Sequence, residues 1–364
     1  MRIDGRLAAA AVALALMAAG QARAERFDFV ALGDTAYNEG DTPKYAALIE
    51  AINKAAPSFS IHVGDTWGAE VCSEADHRQV LATFQTYQQP VVYTPGDNEW
   101  TDCRKAPELA AYKRFVKKEA TPEDMALLAH AQSFDDMFQL GSYDDALASL
   151  ATIRKVFFSR PESLGAHPMP VVRQADVSPD FKEMVENARW EKDGVLFVTV
   201  SNPGSNSDFT ILSEARAAEA ARRTRANVAW IKDAFAEAKA KNAKAVVIAM
   251  QAAMFDPPTP WTSRDFAMSI RGGSDGPYWW IARAIRDFGG PFGKPVLVIN
   301  GDDHSFIVDK PWRISGGDSA PPKNDNITRL QVYGAPDLRA VRVSVDTETP
   351  WVFSFAPLYP APAP

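Results

Sequence analysis

Four apolar runs in this chain end in the same way, with a glycine followed at once by an aspartate: Gly33-Asp34, Gly64-Asp65, Gly96-Asp97 and Gly301-Asp302. Each run reads as a buried strand whose glycine lets the backbone turn sharply. That leaves the carboxylate at the C-terminal end of the strand, where α/β sheets gather ligands. Carboxylates collected at one sheet edge point to a cation.

The elements that must place these residues follow from periodicity. After the first strand, residues 42–56 have helical apolar spacing, with Thr42 as cap and Pro43 at the first helical position. The strand ending at His62 and Asp65, a helix over 76–87 and a strand over 89–94 complete a β-α-β-α-β start. Right-handed crossovers then bring the three aspartates to one edge. From 104 to 190 the pattern turns helical (106–118, 122–138, 144–158) with no clear strand before Gly194, which reads as a helical insertion or cap, or as a structural elaboration packed on one side. Residues 194–201 form a strong buried strand, and 202–207 a polar turn-rich loop. A helix over 214–241 carries Val228, Trp230, Ile231 and Phe235 as its buried stripe. A strand over 245–250 ends at Gln251, and a helix over 278–288 precedes the strand that reaches Asp302 and His304. Residues 330–333, 340–346 and 351–355 alternate as antiparallel strands that would extend a second sheet, and 358–364 is a Pro/Ala-rich tail.

The 364 residues, 46% of them hydrophobic, supply a sizeable core. Arg2 and Arg6 precede an apolar run over 7–19, and Ala22-Arg23-Ala24 is a small-x-small cleavage site before Glu25. Residues 1–24 therefore read as a signal peptide, with one domain over 25–357 in the periplasm or outside the cell. No other apolar run is long enough to span a bilayer. Removing the leader, three arginines against one aspartate, takes the formal net charge from −7 to about −9, which argues against a nucleic-acid partner. The oligomeric state is not legible. Cys72 and Cys103 fit an oxidising compartment as one disulfide tying the loops that leave Asp65 and Asp97, worth about 3 to 4 kcal/mol by chain-entropy reasoning; two unrelated buried thiols are the alternative.

In this order the motifs resemble the calcineurin-like metallophosphoesterases, which include the purple acid phosphatases, over about 27–306. That family runs Asp-x-His, Gly-Asp, Gly-Asn-His-Asp/Glu, a strand-end His and Gly-His-x-His, in a four-layer αββα sandwich around two metals. The resemblance implies Asp34 as the first ligand and Asp65 as the carboxylate shared by both metals. In Gly96-Asp97-Asn98-Glu99-Trp100, Asp97 takes the ligand Asn position and Asn98 that of the His that meets substrate. Gln251 takes the strand-end His, and Gly301-Asp302-Asp303-His304 keeps only the second His of its motif. Ala36 stands where the first His would be, and Gly68 where purple acid phosphatases have a ligand Tyr. Asp97, Gln251 and Asp302 are altered yet remain oxygen donors. The strings GDNEWTDC, ENARWE and GDDH are similar to an atypical secreted bacterial branch of that superfamily.

The implied function is a metal-dependent phosphoesterase-like hydrolase acting on a small phosphate mono- or diester through metal-activated water. A non-catalytic metal- or ligand-binding protein on the same fold is the alternative. Asp34, Asp65, Asp97 and Asp302 offer −4 against the +4 of two divalent ions. One or two hard ions (Mg, Mn or Ca) are favoured over Fe or Zn. His304 is the single imidazole expected on the metal. Asn98 can hydrogen-bond a phosphate oxygen but cannot act as an acid, which leaves Glu99, Asp303 or water as proton sources. Tyr37, Asn38, Asn202 and Asn206 are candidates for the pocket wall and equally for loop-stabilising bonds. His62 reads as a core or supporting residue, and His77, His130 and His167 as surface or packing residues. A serine-esterase reading of Gly33-Asp34-Thr35 lacks its nucleophile, because Thr35 stands where the serine is needed.

Overall fold

The computed structural model describes residues 26–68, 72–102, 114–115, 117–128, 145–209, 213–255, 270–271, 276–313 and 323–360. The expected leader, Cys103, His130 and most of the helices expected over 106–118 and 122–138 lie outside the described residues.

Two sheets form the centre. The first has the order β12-β11-β1-β2-β3, with β1 (Phe27–Leu32), β2 (Ser60–His62) and β3 (Val91–Tyr93) parallel and β11 (Ala340–Val345) and β12 (Phe353–Leu358) antiparallel. The second has the order β4-β5-β6-β7-β8-β10-β9. Its parallel centre is β6 (Val195–Thr199), β7 (Ala245–Ala249), β8 (Val296–Asn300) and β10 (Ile327–Gln331), flanked by the antiparallel β4 (Val172–Arg173), β5 (Ala188–Lys192) and β9 (Ile307–Asp309). β6, β7 and β8 are buried at every residue, which is why they read as unbroken apolar runs.

Between the sheets Phe29, Phe59, Ile61, Phe197, Val247, Leu297 and Val341 interlock. The ring of Phe59 stacks on Phe29 at 5.4 Å and meets Phe197 edge-on at 5.0 Å. Truncating a fully buried ring here to alanine costs about 3 to 5 kcal/mol. Helices cover both outer faces. α1 (Thr42–Ala55), α2 (Glu74–Phe84) and α4 (Asp145–Phe157) pack Leu48, Ile52, Phe84, Leu150 and Ile153 onto the first sheet. α5 (Glu214–Ala240) and α6 (Pro277–Ala284) pack Trp230, Ile231, Phe235 and Ile281 onto the second. The result is the expected αββα sandwich.

Several boundaries differ from the expectation. α1 is capped by Asp41 rather than Thr42, with proline in the first turn and the left-handed Ala56 closing its C-terminus. α2 begins at Glu74 because Ser73 and Asp76 form a capping box. Within 104–190 lie α3 (Pro122–Leu128) and α4. α4 belongs to the outer core layer of the first sheet, and β4 and β5 add to the second, so a strand precedes Gly194 after all. β10, expected as antiparallel, lies in the second sheet and pairs antiparallel with β9 but parallel with β8; β11 and β12 are antiparallel as expected but join the first sheet.

Candidate metal centre

The parallel strands of both sheets bring their C-terminal ends together. Asp34 follows β1, Asp65 follows β2, Asp97 follows β3, Gln251 follows β7 and Asp302 follows β8. Gly64 allows two of these loops to touch: its φ is +93°, and a Cβ on it would lie 2.3 Å from the Gly96 nitrogen. Asp34, Asp65, Asp302 and His304 themselves take the left-handed region, at φ 51°, 55°, 78° and 56°. Such conformations cost of order 1 kcal/mol or more per residue and gather where function over-determines the backbone.

One half of the centre consists of Asp34, Asp65 and His304, whose ligand atoms all lie within 4.8 Å of one another. Asp34 is fully buried; its Oδ1 accepts the Asp302 N–H at 2.9 Å, while Oδ2 has no hydrogen-bond partner among the described residues. His304 Nδ1 lies 2.6 Å from the Ala335 carbonyl. A carbonyl only accepts, so Nδ1 carries the proton and Nε2 presents a lone pair toward the carboxylates. The Tyr37 hydroxyl sits between these groups, 2.6 Å from Asp65 Oδ2, 3.0 Å from His304 Nε2 and 3.5 Å from Asp34 Oδ1. The hydroxyl has one proton for these three groups; the raised Asp34 and Asp65 carboxyls hold protons of their own, whose place a bound cation would take. Gly334 closes the pocket, since a Cβ there would come within 2.7 Å of Asp34 Cβ and 2.8 Å of His304 Cγ. Two carboxylates and one imidazole suit a divalent ion of the Mg, Mn or Zn kind.

The other half consists of Asp97, Gln251 and Asp302. Gln251 Oε1 accepts the Gly204 N–H, a group that can only donate, which turns the amide NH2 toward the acids. Gln251 Nε2 then donates to Asp97 Oδ1 at 3.1 Å and to Asp302 Oδ1 at 3.4 Å. Asp97 Oδ2 accepts from Ser205 Oγ at 2.9 Å, and Asp302 Oδ2 from the Ala253 N–H at 2.8 Å. Every oxygen of both carboxylates has a protein donor group in reach, with the single Ser205 proton shared between Asp97 Oδ2 and Asp102 Oδ2.

The remaining candidates are spread around these halves. Ala36, where the family pattern would have its first His, turns into the apolar layer beside Tyr45, and its neighbour Tyr37 points inward instead. Glu99 lies beneath the loops, accepting the N–H groups of Asp65, Thr66 and Gly96 and the Thr66 hydroxyl. Asn98 gives its backbone N–H to Asp65 Oδ1 and its amide to the Trp67 carbonyl. Asp303 holds Arg271 through two bonds of 2.7 and 2.8 Å. Asn38 bonds Asp41 and the Gly40 N–H, and Asn206 bonds the Phe209 carbonyl, so both fasten their own loops. Asn202 gives its amide to Met250 Sδ. His62 is buried against Phe84 and Tyr45, and burial lowers it to about 3. His77 is buried on Ser149 and Phe157 rather than at the surface. Sequence reasoning missed Ser205, Asp102 and Arg271. Ser205 bonds Asp97 and Asp102, both at 2.9 Å, and its place in the polar loop after β6 was the available signal.

The electrostatics follow from the crowding. Burial, then the charge of Asp302, pushes the Asp34 carboxyl well above the usual range. Burial, then Asp97, does the same to Asp65, and burial, then Asp102, to Asp97. Asp302 is raised by burial and Asp303, against the lowering effect of the Ala253 N–H. Tyr37 is raised by burial and the adjacent carboxylates, so its hydroxyl keeps its proton. Ionising these acids together calls for positive charge.

No protein-family model matches the chain, and no curated protein matches it in sequence. Among solved structures it is similar to a dimetal phosphatase from Danio rerio, at 10% identity over 92% of this chain and 99% of that one, with a TM-score of 0.47. It is also similar to the protein TT1561 of Thermus thermophilus, at 11% identity over 92% and 99% of the two chains, with a TM-score of 0.43. A third is GAP50, described as the anchor in the inner membrane complex of Plasmodium, at 10% identity over 92% and 89%, with a TM-score of 0.41.

Proposed function

We propose that this chain is a divalent-cation-dependent phosphoester hydrolase. The observation that carries the reading is the convergence of the Asp34 and Asp65 carboxyls and His304 on one largely buried place, ligand atoms within 4.8 Å of one another, where the two acids ionise together only beside positive charge. Asp34, Asp65 and His304 hold the ion, with Mg or Mn as the hard ions that suit two carboxylates. A bound ion supplies Lewis acidity to a phosphoryl oxygen and acidifies water.

The protein's own groups hold that arrangement. The Ala335 carbonyl fixes the His304 tautomer, the Asn98 N–H and the Tyr37 hydroxyl orient Asp65, and the Asp302 N–H orients Asp34. Arg271 carries a guanidinium fork that matches a phosphate once Asp303 releases it. The substrate class is a small phosphate mono- or diester, and the acidic chain disfavours nucleic acid. The sequence-based leader supports a periplasmic or secreted setting, in which Cys72 and Cys103 pair. Among the described residues no helix is long and apolar enough to cross a membrane.

A second reading, a non-catalytic cation- or ligand-binding protein, is favoured by one set of contacts. Glu99, Asp303 and the Asn98 amide, the groups named for proton transfer or phosphate contact, are each engaged in structural bonds.

The test strips the protein with a chelator, restores Mn2+ or Mg2+, and measures turnover of aryl phosphate mono- and diesters beside Asp65→Asn. Turnover that returns with the ion and falls about 100-fold or more in the variant supports the hydrolase, since even partners that merely orient a ligand are worth 10- to 100-fold. An ion that raises the melting temperature without turnover selects the binding protein. An ion that does neither removes the hydrolase and the cation-binding protein alike.

A further inference from the structure

Resting on the reading of Asp34, Asp65 and His304 as a cation site, we infer that this centre takes a single ion, because the amide of Gln251 occupies the role of a second one. Two carboxylates from different sheets, Asp97 and Asp302, face each other across the cluster, an arrangement that in isolation invites a divalent ion. Here the Gln251 NH2 lies between them, 3.1 Å from Asp97 Oδ1 and 3.4 Å from Asp302 Oδ1. Its two N–H groups neutralise the facing lone pairs through hydrogen bonds.

Three observations fix this role. The amide cannot turn its oxygen to a metal without setting NH2 against the Gly204 N–H, which it now accepts from. Of the outer oxygens, the Asp302 one accepts the Ala253 N–H, and the Asp97 one shares the Ser205 hydroxyl proton with Asp102. The Gly204 backbone packs close against both acids, a Cβ there standing 2.5 Å from Asp302 Oδ1 and Asp97 Oδ2, which holds its N–H on the Gln251 oxygen. By contrast Asp34 Oδ2, fully buried, has no donor among the described residues. In the first half no amide stands between the ligands and His304 Nε2 faces Asp34 Oδ1 at 3.7 Å, whereas in the other half a cation must break the bonds of the Gln251 amide.

The chemical class of site is thus a mononuclear one with two carboxylates and an imidazole. Gln251→Glu keeps the shape of the side chain, removes both N–H donors and adds a negative charge, and so converts the second half into an acidic site that recruits an ion.

The experiment counts Mn2+ bound to chelator-stripped protein by calorimetric titration and by metal analysis after dialysis, in wild type, Gln251→Glu, Asp34→Asn and Asp97→Asn, with circular dichroism to confirm folding. Wild type is expected to bind one ion, Gln251→Glu two, Asp34→Asn none and Asp97→Asn one. If Gln251→Glu does not fold, Gln251→His takes its place with the same expected gain. Two ions in the wild type, or one still in folded Gln251→Glu and Gln251→His, overturn the role given to Gln251 and leave the cation reading standing. No ion in the wild type removes the cation reading itself. Loss of the ion in Asp97→Asn with retention in Asp34→Asn places it in the wrong half and overturns the inference.

Discussion

The two halves of the centre are built from the same kind of part, a pair of aspartates at strand ends joined by a third polar residue, yet they differ in hydrogen-bond balance. Around Asp97 and Asp302 the third residue, Gln251, contributes donors to both acids, and each carboxylate oxygen has a donor group in reach, Ser205 being shared with Asp102. Around Asp34 and Asp65 the third residue, His304, contributes an acceptor, and Asp34 Oδ2 is left over. Both halves are buried and lie among like charges, so burial and charge alone do not distinguish a ligand site from a structural network. The count of donors against acceptors does.

The largest expected effect is on the half that lacks donors. Asp34→Asn should abolish ion-dependent stabilisation and lower any phosphoester turnover by about 100-fold or more, whereas Asp97→Asn should keep the stabilisation. Thermal melts with and without Mn2+ check this, and equal losses in both variants would erase the distinction.

The next effect concerns pH. The raised carboxyls of Asp34, Asp65, Asp97 and Asp302 keep protons in the folded chain that the unfolded chain releases above about pH 4. Their contribution to stability is complete below that pH and is lost as the pH rises through their raised folded values. An ion binds the ionised forms of Asp34 and Asp65, so the rise in melting temperature on adding Mn2+ should grow as the pH rises over the range in which the chain stays folded. Buried neutral His62, lowered to about 3, and His77, lowered to about 4, work the other way: their stability is present above about pH 6.5 and is lost as pH falls. They act equally with and without the ion and drop out of the difference. A flat difference across that range would contradict the placement of the ion.

Two glycine variants separate the halves by size alone. Gly334→Ala crowds Asp34 and His304, and Gly204→Ala crowds Asp97 and Asp302. Each should cost about 1 to 3 kcal/mol of stability through overpacking. Gly334→Ala alone should also weaken Mn2+ binding, as denaturant melts paired with titrations would reveal. The smallest change is Ser205→Ala, which removes a donor shared by Asp97 and Asp102 and should cost about 1 kcal/mol without altering ion binding.

Much of this scaffold is legible in the sequence because its signals are local. Unbroken apolar runs such as those of β6, β7 and β8 announce strands covered on both faces, and Gly-Asp endings announce where they stop. β5 is harder to read, since Arg189, Glu191 and Lys192 mask the inward alternation of Ala188 and Trp190 in a half-buried strand. β10 shows the limit of alternation, which does not encode whether a neighbour runs parallel. In the centre, residue type and strand-end position identify Asp34, Asp65, Asp97, Gln251, Asp302 and His304 as neighbours to be. Which end of the Gln251 amide faces the acids is not legible, because it is decided by Gly204, 47 positions away. Tyr37 occupies the middle of the first half through a shift of one residue from Ala36, which no spacing rule specifies.

The most direct test of the contrast is a crystal grown with MnCl2 and measured for anomalous scattering at the manganese edge. The account predicts one peak, enclosed by Asp34, Asp65 and His304, with the Gln251 amide still between Asp97 and Asp302. A peak between Asp97 and Asp302, or no peak in either half, would contradict it.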